Sequence, residues 1–461
     1  MKRSLATSLI WALVALAGPG AAAWAGPTLP PPPRFTLEQL VDLALERSPS
    51  LGVERGRVEA SAAQVTQARA GYLPQLNARL GYDRVYSNRQ STFYRTTTSL
   101  TSGSSGGAQD DYQSSVSLTQ NLYDFGRTSG RLAQSRHNLE ISRKGLVATA
   151  ADLVRDVKAG YFEVLKQEEL VQVEEENLTS QEKHLEQAEA LFRQGLRPKI
   201  DVTKGQSEVS KARLTLLQTR YDLRRARVDL ERLLGGPPAP GGYTLAPAGP
   251  SPSLPDQVEP LVARALILRP EVAQQRAQIA ASLAGLRAAQ GGHWPNLNAV
   301  GNYGYEGSEF PLSEGWTAGV VLSWDFFTGL RTTGEVDQAK AVINQAASSL
   351  QLQDLVVTEE VTKAYLALHE ADQAIVTARV GLAQAQENLN QAQGRYQAGV
   401  GDSLEFNDAQ VLYTQAKSAL VQASYILLQA WAELERSVGE TARAMTAEFT
   451  AQAGSTTMGS K

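Results

Sequence analysis

The stretch VTEEVTKAYLALHEADQAIVTARVGLAQAQENLNQAQGRY, Val357 to Tyr396, repeats itself every seven residues. Val361, Leu368, Ile375, Leu382, Leu389 and Tyr396 hold one heptad position, and Val357, Ala364, Ala371, Ala378, Ala385 and Ala392 stand four residues before each. An apolar period of seven over so many turns predicts a left-handed supercoiled helix, and the alanines let a neighbouring helix approach closely. The larger series recurs upstream at Val157, Val164, Val171, Leu178, Leu185 and Phe192. No proline interrupts Gln75 to Arg197, and none follows Pro311, so very long helices are permitted. The pattern predicts helices over about 128–193 and 331–396, each ~100 Å long at ~1.5 Å per residue. Shorter helices are expected at about 201–234 and 403–438, after turns containing Gly195 and Gly399, and others at about 50–71 and 271–290.

The two long helices belong to two copies of one unit. Glu38 to Pro74 aligns without gaps on Glu259 to Pro295, sharing Leu40-Val41 with Leu261-Val262 and Pro49 with Pro270. The first segment runs into Tyr-Leu-Pro-Gln-Leu-Asn (72–77) and the second into His-Trp-Pro-Asn-Leu-Asn (293–298). Tyr161 to Gly235 then aligns on Tyr365 to Gly439, both closing in Leu-Glu-Arg-x-x-Gly. Length and collinearity make this a duplication, with repeats at 37–235 and 258–439. The offset falls from 221 to 204 between the two alignments, which places extra residues of copy one in the Ser/Thr/Gly-rich stretch Ser87–Asp110. Residues 236–257, rich in proline and glycine, are expected to be a stiff linker without a core of its own, and 440–461 a flexible tail.

Inside each copy the period changes from seven to two. Leu76, Ala78, Leu80 and Tyr82 alternate with Asn77, Arg79, Gly81 and Asp83, and Trp316, Ala318, Val320, Leu322, Trp324 and Phe326 alternate with mostly small or polar residues. Four strands are expected, at about 75–87, 111–123, 296–305 and 315–326, long enough to cross a membrane when tilted. Sixteen of the 31 aromatic residues fall in 72–126 and 293–327, with Tyr72, Tyr123, Trp294 and Trp324 near strand ends where an aromatic girdle would lie. A soluble β-subdomain would also use aromatic pairs. Four strands cannot close a barrel, and open edges are not tolerated in lipid. Membrane-spanning strands therefore require several protomers to share one barrel: two would give a filled interior, three or more a lumen.

Composition narrows the rest. The 461 residues carry a formal charge of −4 and no cysteine, which removes disulfides, thiolate metal sites, cysteine nucleophiles and lipid attachment through an N-terminal cysteine. No basic block suggests nucleic acid. Lys2 and Arg3, an apolar run from Leu5 to Ala17 and the small-x-small triplet Ala23-Trp24-Ala25 form the pattern of a cleaved signal peptide at 1–25, against the alternative of a membrane anchor; its removal takes the charge to −6. His137, His184, His293 and His369 are scattered without metal-ligand spacing, and phosphate-binding, dinucleotide and nucleophile-elbow motifs are missing, so neither catalysis nor a cofactor is expected.

Over about 37–439 the chain resembles the TolC outer-membrane efflux family. The likeness rests on the duplicated strand–strand–long-helix order and on the helix-turn sequences Phe-Arg-Gln-Gly-Leu-Arg-Pro-Lys-Ile-Asp-Val (192–202) and Tyr-Gln-Ala-Gly-Val-Gly-Asp-Ser-Leu-Glu-Phe (396–406). It implies a mainly α protein with a membrane β-barrel portion: a homotrimer sharing twelve strands in the outer membrane of a Gram-negative cell, continued by a periplasmic helical barrel. It further implies a periplasmic adaptor and an inner-membrane transporter as partners, and the role of exit duct in a tripartite efflux or type I secretion system. Gly195-Leu196 and Gly399-Val400 match the tip turns that meet the adaptor, and Glu405 and Asp408 match acidic positions ringing the closed entrance. Tyr396 matches a residue of the links that hold the entrance shut. Its usual arginine partner falls at Gly401, leaving Arg197 on the other turn as the substitute. The rival class, a periplasmic or surface coiled-coil scaffold without channel activity, explains the heptads but not the aromatic hairpins. The cargo is not legible.

Overall fold

The computed structural model describes residues 33–87, 107–240, 242–249, 253–398 and 400–446. The expected signal peptide, most of the Ser/Thr/Gly-rich insertion, and Gly399 lie outside the described residues. Along the chain run β1 (Arg34–Phe35), α1 (Leu37–Arg47), α2 (Pro49–Arg69), β2 (Gln75–Ser87), β3 (Gly107–Tyr123), α3 (Arg127–Arg193), α4 (Lys199–Leu233), β4 (Thr244–Leu245), α5 (Glu259–Leu268), α6 (Pro270–Gln290), β5 (Asn296–Gly307), β6 (Ser313–Ser323), α7 (Arg331–Gln397) and α8 (Ser403–Val438). Local chemistry sets many boundaries. Thr36 and Gln39 form a capping box at α1. Pro49 and Pro270 occupy the first position of α2 and α6, where proline's fixed φ fits and its missing N–H costs nothing. Asp402 caps α8 through the Glu405 N–H at 2.8 Å, and Gly439 ends it at φ +85°.

The two long helices have 67 residues each, as the heptads predict. In α7 the large series is buried at Val361, Leu368, Ile375, Leu389 and Tyr396. In α3 it is buried only at Val157 and Val164; beyond them the buried positions drift to Val173, Gln181, His184 and Ala188, while Phe192 is exposed. The expected heptad of copy one therefore fails from Val171 onward, where α3 meets the polar face of α8.

Packing generates one layer with two free flanks. Next to the sheet the helices lie in the order α2, α3, α6, α7; farther along they lie in the order α4, α3, α8, α7. One core joins α1, α2, α3 and α4 around Leu40, Leu51, Val157, Tyr161 and Leu230. A second joins α6, α7 and α8 around Val272, Val361, Leu368 and Leu434. Two expectations are corrected here. The segment 236–257 is not free of core contacts: β4 pairs with β1, Tyr243 and Leu245 are buried in the first core, and His369 and Tyr365 on α7 bond the carbonyls of Pro255 and Asp256. Residues 440–446 are helical, with Ala442 and Met445 buried in that same core, so a flexible tail does not begin at 440.

Four strands form one antiparallel sheet in the order β2-β3-β5-β6. β3 starts earlier than expected because Gly107 still pairs with Ser87, and β6 stops at Ser323, leaving Trp324 and Phe326 in the loop before α7. Register places Leu76, Leu118, Gly301 and Ala318 in one row, and Ala78, Val116, Tyr303 and Trp316 in the next row of that face. Leu80, Ala299, Val320 and Leu322 share it. The opposite face carries Asn77, Ser117, Asn302 and Thr317, then Arg79, Ser115, Gly304 and Gly315.

Candidate functional site

Two regions of this fold carry function: the two-faced sheet and the far end of the helices. Every strand of the four-stranded sheet has at least 11 residues, which at ~3.3 Å per residue crosses a bilayer core when tilted. One face is aliphatic and aromatic and exposed at Leu76, Leu80, Trp316, Val320 and Leu322; the other is mostly polar or bare, with Val300 and Val321 among its few apolar members. An exposed apolar face of this size is intolerable in water and fits lipid, with the polar face lining an aqueous lumen. At its helix-side margin Tyr123 meets Phe125 edge-on and Phe125 stacks on Trp294, with centroids 4.7 and 5.4 Å apart, and the Trp324 indole donates to the His293 carbonyl at 3.1 Å. The amphipathic rings lie where the girdle was expected. Among the described residues no helix is long and apolar enough to cross a membrane.

At the far end two turns close the helical hairpins. α3 ends in a Schellman motif: Leu196 N–H reaches the Leu191 carbonyl, Gly195 N–H reaches that of Phe192, and Gly195 takes φ +74°. After α7 the Val400 N–H reaches the Arg395 carbonyl in the same pattern. Leu196 and Val400 are 66% and 71% exposed, apolar knobs pointing into solvent. Gly399, the other docking candidate, is outside the described residues.

Behind the turns lies a small third core of Leu389, Ala392, Phe406 and Ala409. Tyr396 packs at its margin, 3% exposed, and its hydroxyl finds no hydrogen-bond partner. Burial raises the Tyr396 pKa, as does the Asp201 carboxylate, against the opposing charge of Arg197. The Arg197 guanidinium lies over the Tyr396 ring, 5.1 Å from its centroid, and donates to the Gly401 carbonyl at 2.7 Å. One side chain thus ties the first turn to the end of α7 and to the second turn. A larger residue at 401 would be crowded: a Cβ there would stand 3.0 Å from Arg395 Cβ and from the Tyr396 nitrogen.

Glu405 is not a free carboxylate. Its Oε1 pairs with Arg395 Nε at 3.0 Å, so α7 neutralises one of the two acidic positions. Asp408 is exposed. The sequence pattern missed three members of this cluster. Phe406 stacks on His184 at 4.1 Å, Asp201 is buried in the first turn of α4, and His184 is itself buried. Phe406 and Asp201 stood inside the quoted turn motifs and were open to notice. His184 gave no signal, because it falls between the apolar heptad positions.

The same architecture recurs in known proteins. A profile of the outer membrane efflux protein family matches residues 40–236 and 261–440. The chain belongs to that family. It is 24% identical over 408 residues to outer membrane efflux protein BepC of Brucella suis, covering 86% of this chain and 85% of that protein. It is also 24% identical over 406 residues to the pyoverdine export outer membrane protein OpmQ of Pseudomonas aeruginosa, covering 87% and 85%. Among solved structures, the CmeC outer membrane channel of Campylobacter jejuni superposes with a TM-score of 0.77 at 16% identity over 89% of each chain. The open MtrE channel of Neisseria gonorrhoeae superposes at 0.72 with 20% identity over 87% of this chain and 88% of that one, a likeness of fold. The chain is therefore an outer-membrane exit duct of an efflux or secretion system, with its helical part in the periplasm. Family and fold are those of channels rather than of enzymes.

Proposed function

We propose that three protomers close into one duct, a twelve-stranded barrel continued by a barrel of helices. The tip turns receive a periplasmic adaptor there and pass on substrate from an inner-membrane transporter. The observation that carries this reading is the open flank at every level of the protomer. β2 and β6 leave one edge each unpaired in the four-stranded sheet, α2 and α4 form the helical flank below β2, and α7 forms the flank below β6. The flanking helices also expose apolar side chains that a monomer leaves wet: Leu214, Leu217, Tyr221 and Val228 on α4, and Leu352, Leu355, Leu366 and Val380 on α7. A flank that differs from its opposite joins head to tail, and such contacts make a ring when the rotation between copies closes. Two copies would fill the barrel; three leave a lumen.

On this reading Tyr396, Glu405 and Asp408 stand at the periplasmic entrance. Gly195, Leu196, Gly399 and Val400 form the adaptor-docking tip, an assignment supported by the exposed apolar knobs Leu196 and Val400. Native mass measurement of the detergent-extracted protein tests the stoichiometry. Three copies per particle are expected, together with ion conductance in a planar bilayer; a monomer or dimer without conductance overturns the duct and favours a scaffold.

A further inference from the structure

Four buried polar atoms near the tip lack a hydrogen-bond partner: Gln181 Oε1, His184 Nδ1, Tyr396 OH and Asn407 Oδ1. His184 links them. Gln181 stands one turn earlier on α3, the Tyr396 ring is 4.8 Å away, and Asn407 shares with His184 the hydroxyl of Ser403, reached by the imidazole Nε2 at 3.4 Å and by Asn407 Nδ2 at 3.5 Å. The imidazole is 2% exposed and stacked on Phe406 with 22° between planes. It therefore bridges α3, the end of α7 and the first turn of α8, across the boundary between the two helical hairpins. We infer that His184 is a proton-sensitive keystone: its neutral ring holds α8 against α3 in the packed tip, and its protonation drives the two helices apart.

An imidazolium donates from both nitrogens, and buried charge without partners is strongly disfavoured. Nδ1 has no acceptor in the packed tip. A single carboxylate faces the ring, and no hydrogen bond joins it to Nδ1. From α4 comes the buried carboxylate of Asp201; from α7 comes Tyr396, covered by the guanidinium of Arg197. α8 brings Ser403, Phe406 and Asn407, none of them charged, and on α3 itself Lys183 and Glu186 are exposed. Burial lowers the His184 pKa to about 4, against the opposing pull of Asp201. Once the helices part and the ring reaches water it returns to about 6.5. The packed tip thus binds fewer protons than the parted one between these values. Its stability is complete above about pH 6.5 and declines as pH falls towards 4. The parted-to-packed ratio then rises about thirtyfold between pH 7.5 and 5.0.

The absence of cysteine allows a direct test. Gln410→Cys places a thiol in the α3–α8 seam opposite Ser180, where Gln410 is buried, and Leu412→Cys places one on the exposed side of the same helix. The ratio of their labelling rates by a thiol reagent removes the pH dependence of the thiolate. In the full-length detergent-solubilised channel this ratio is expected to rise about thirtyfold from pH 7.5 to 5.0. It should stay flat with His184→Phe, which keeps the stack but cannot titrate, and should persist with Asp201→Asn. A flat ratio in the parent overturns the keystone whether or not the phenylalanine variant assembles. So does a rise that survives His184→Phe, or one abolished by Asp201→Asn. What parting does to flux rests on the entrance proposed above, and conductance of the same proteins tests that step separately. A labelling response without a conductance response leaves the keystone standing and overturns the placing of the entrance.

Discussion

Arg197→Ala removes the one side chain that joins both tip turns to the end of α7, and its cost follows from two contacts. The guanidinium over the Tyr396 ring, 5.1 Å from the centroid, is a half-buried cation–π contact of about 1 kcal/mol. The 2.7 Å hydrogen bond to the Gly401 carbonyl is charge-assisted, roughly 1.5–3 kcal/mol, and its loss strips a partner from a buried residue. The two share one side chain and are not additive, so about 2 kcal/mol per protomer is expected, roughly a thirtyfold shift towards the parted tip. Labelling of Gln410→Cys at pH 7.5, where His184 is neutral, reads that shift directly. Arg197→Lys, which keeps the charge but loses the flat fork, should fall between. Arg193→Ala, an exposed cation in the last turn of α3, should do nothing. Labelling of Arg197→Ala at the parental rate, with the oligomer intact, would refute the idea that this residue ties the two turns together.

Val320→Arg puts a charge on the apolar face and should cost ~2–4 kcal/mol at the membrane midplane, enough to reduce outer-membrane assembly, whereas Thr317→Arg on the polar face should assemble normally; equal yields from fractionated membranes would count against the facing. Arg269→Met breaks a buried pair with Glu271 and Glu360 and should lower unfolding stability by about 3 kcal/mol, the low end for such pairs because Arg436 still reaches both acids. Burial raises the Glu271 carboxyl, but the hydrogen bonds and charge of Arg269 and the charge of Arg436 outweigh it and leave the pKa lowered. The stability Glu271 contributes is therefore present above its ordinary value and lost as pH falls through the lowered one, and in Arg269→Met that loss should begin at higher pH in thermal melts. Because Arg395 pairs with Glu405, Asp408→Ala should reduce cation selectivity in single-channel recordings more than Glu405→Ala does. Gly195→Glu with Gly399→Glu should leave trimers in the outer membrane but abolish adaptor cross-linking, since Gly195 needs its positive φ; retained cross-linking would remove the tip from the docking surface.

What could be read in advance follows from how local each signal is. α8 was legible end to end because a side-chain cap at Asp402 and a glycine at 439 are written in the adjacent residues. The lipid face was legible because strand side chains alternate, so Trp316, Val320 and Leu322 declare one side without knowledge of their partners. The start of β3 was not, since Ala-Gln-Asp-Asp has no alternation and is a strand only through pairing with β2. The docking of Tyr243 and Leu245, and of Ala442 and Met445, depends on α1 and α3 folding over them, which no window of sequence records. His184 was invisible for a related reason. A search for apolar sevens discards a polar residue that is buried only because α8 arrives from 219 positions away.

The divergence of the two copies shows where the helical layer is strongest and where it yields. Between α3 and α4 three ion pairs stand at heptad spacing, Arg213–Glu182, Arg220–Glu175 and Arg227–Glu168, each at 2.7 Å. They are largely exposed and contribute well under 1 kcal/mol apiece, but they penalise any slide that would move a rung against the wrong partner. The equivalent positions on α8 are Lys417, Ser424 and Trp431, and Lys417 turns away from α7 to pair with Glu176 on α3. Near the tip the hairpins meet through hydrogen bonds, Asn177 with Thr414, Ser180 with Gln410 and His184 with Ser403, and through the His184–Phe406 stack. Exchanging such hydrogen bonds for water costs little, whereas separating the apolar interior of α7 and α8 costs ~25 cal/mol per Å² exposed. A tip that opens therefore parts along the α3–α8 seam, with each hairpin moving as a unit. A covalent link across that seam should hold it shut, while one between α3 and α4 should leave the motion intact.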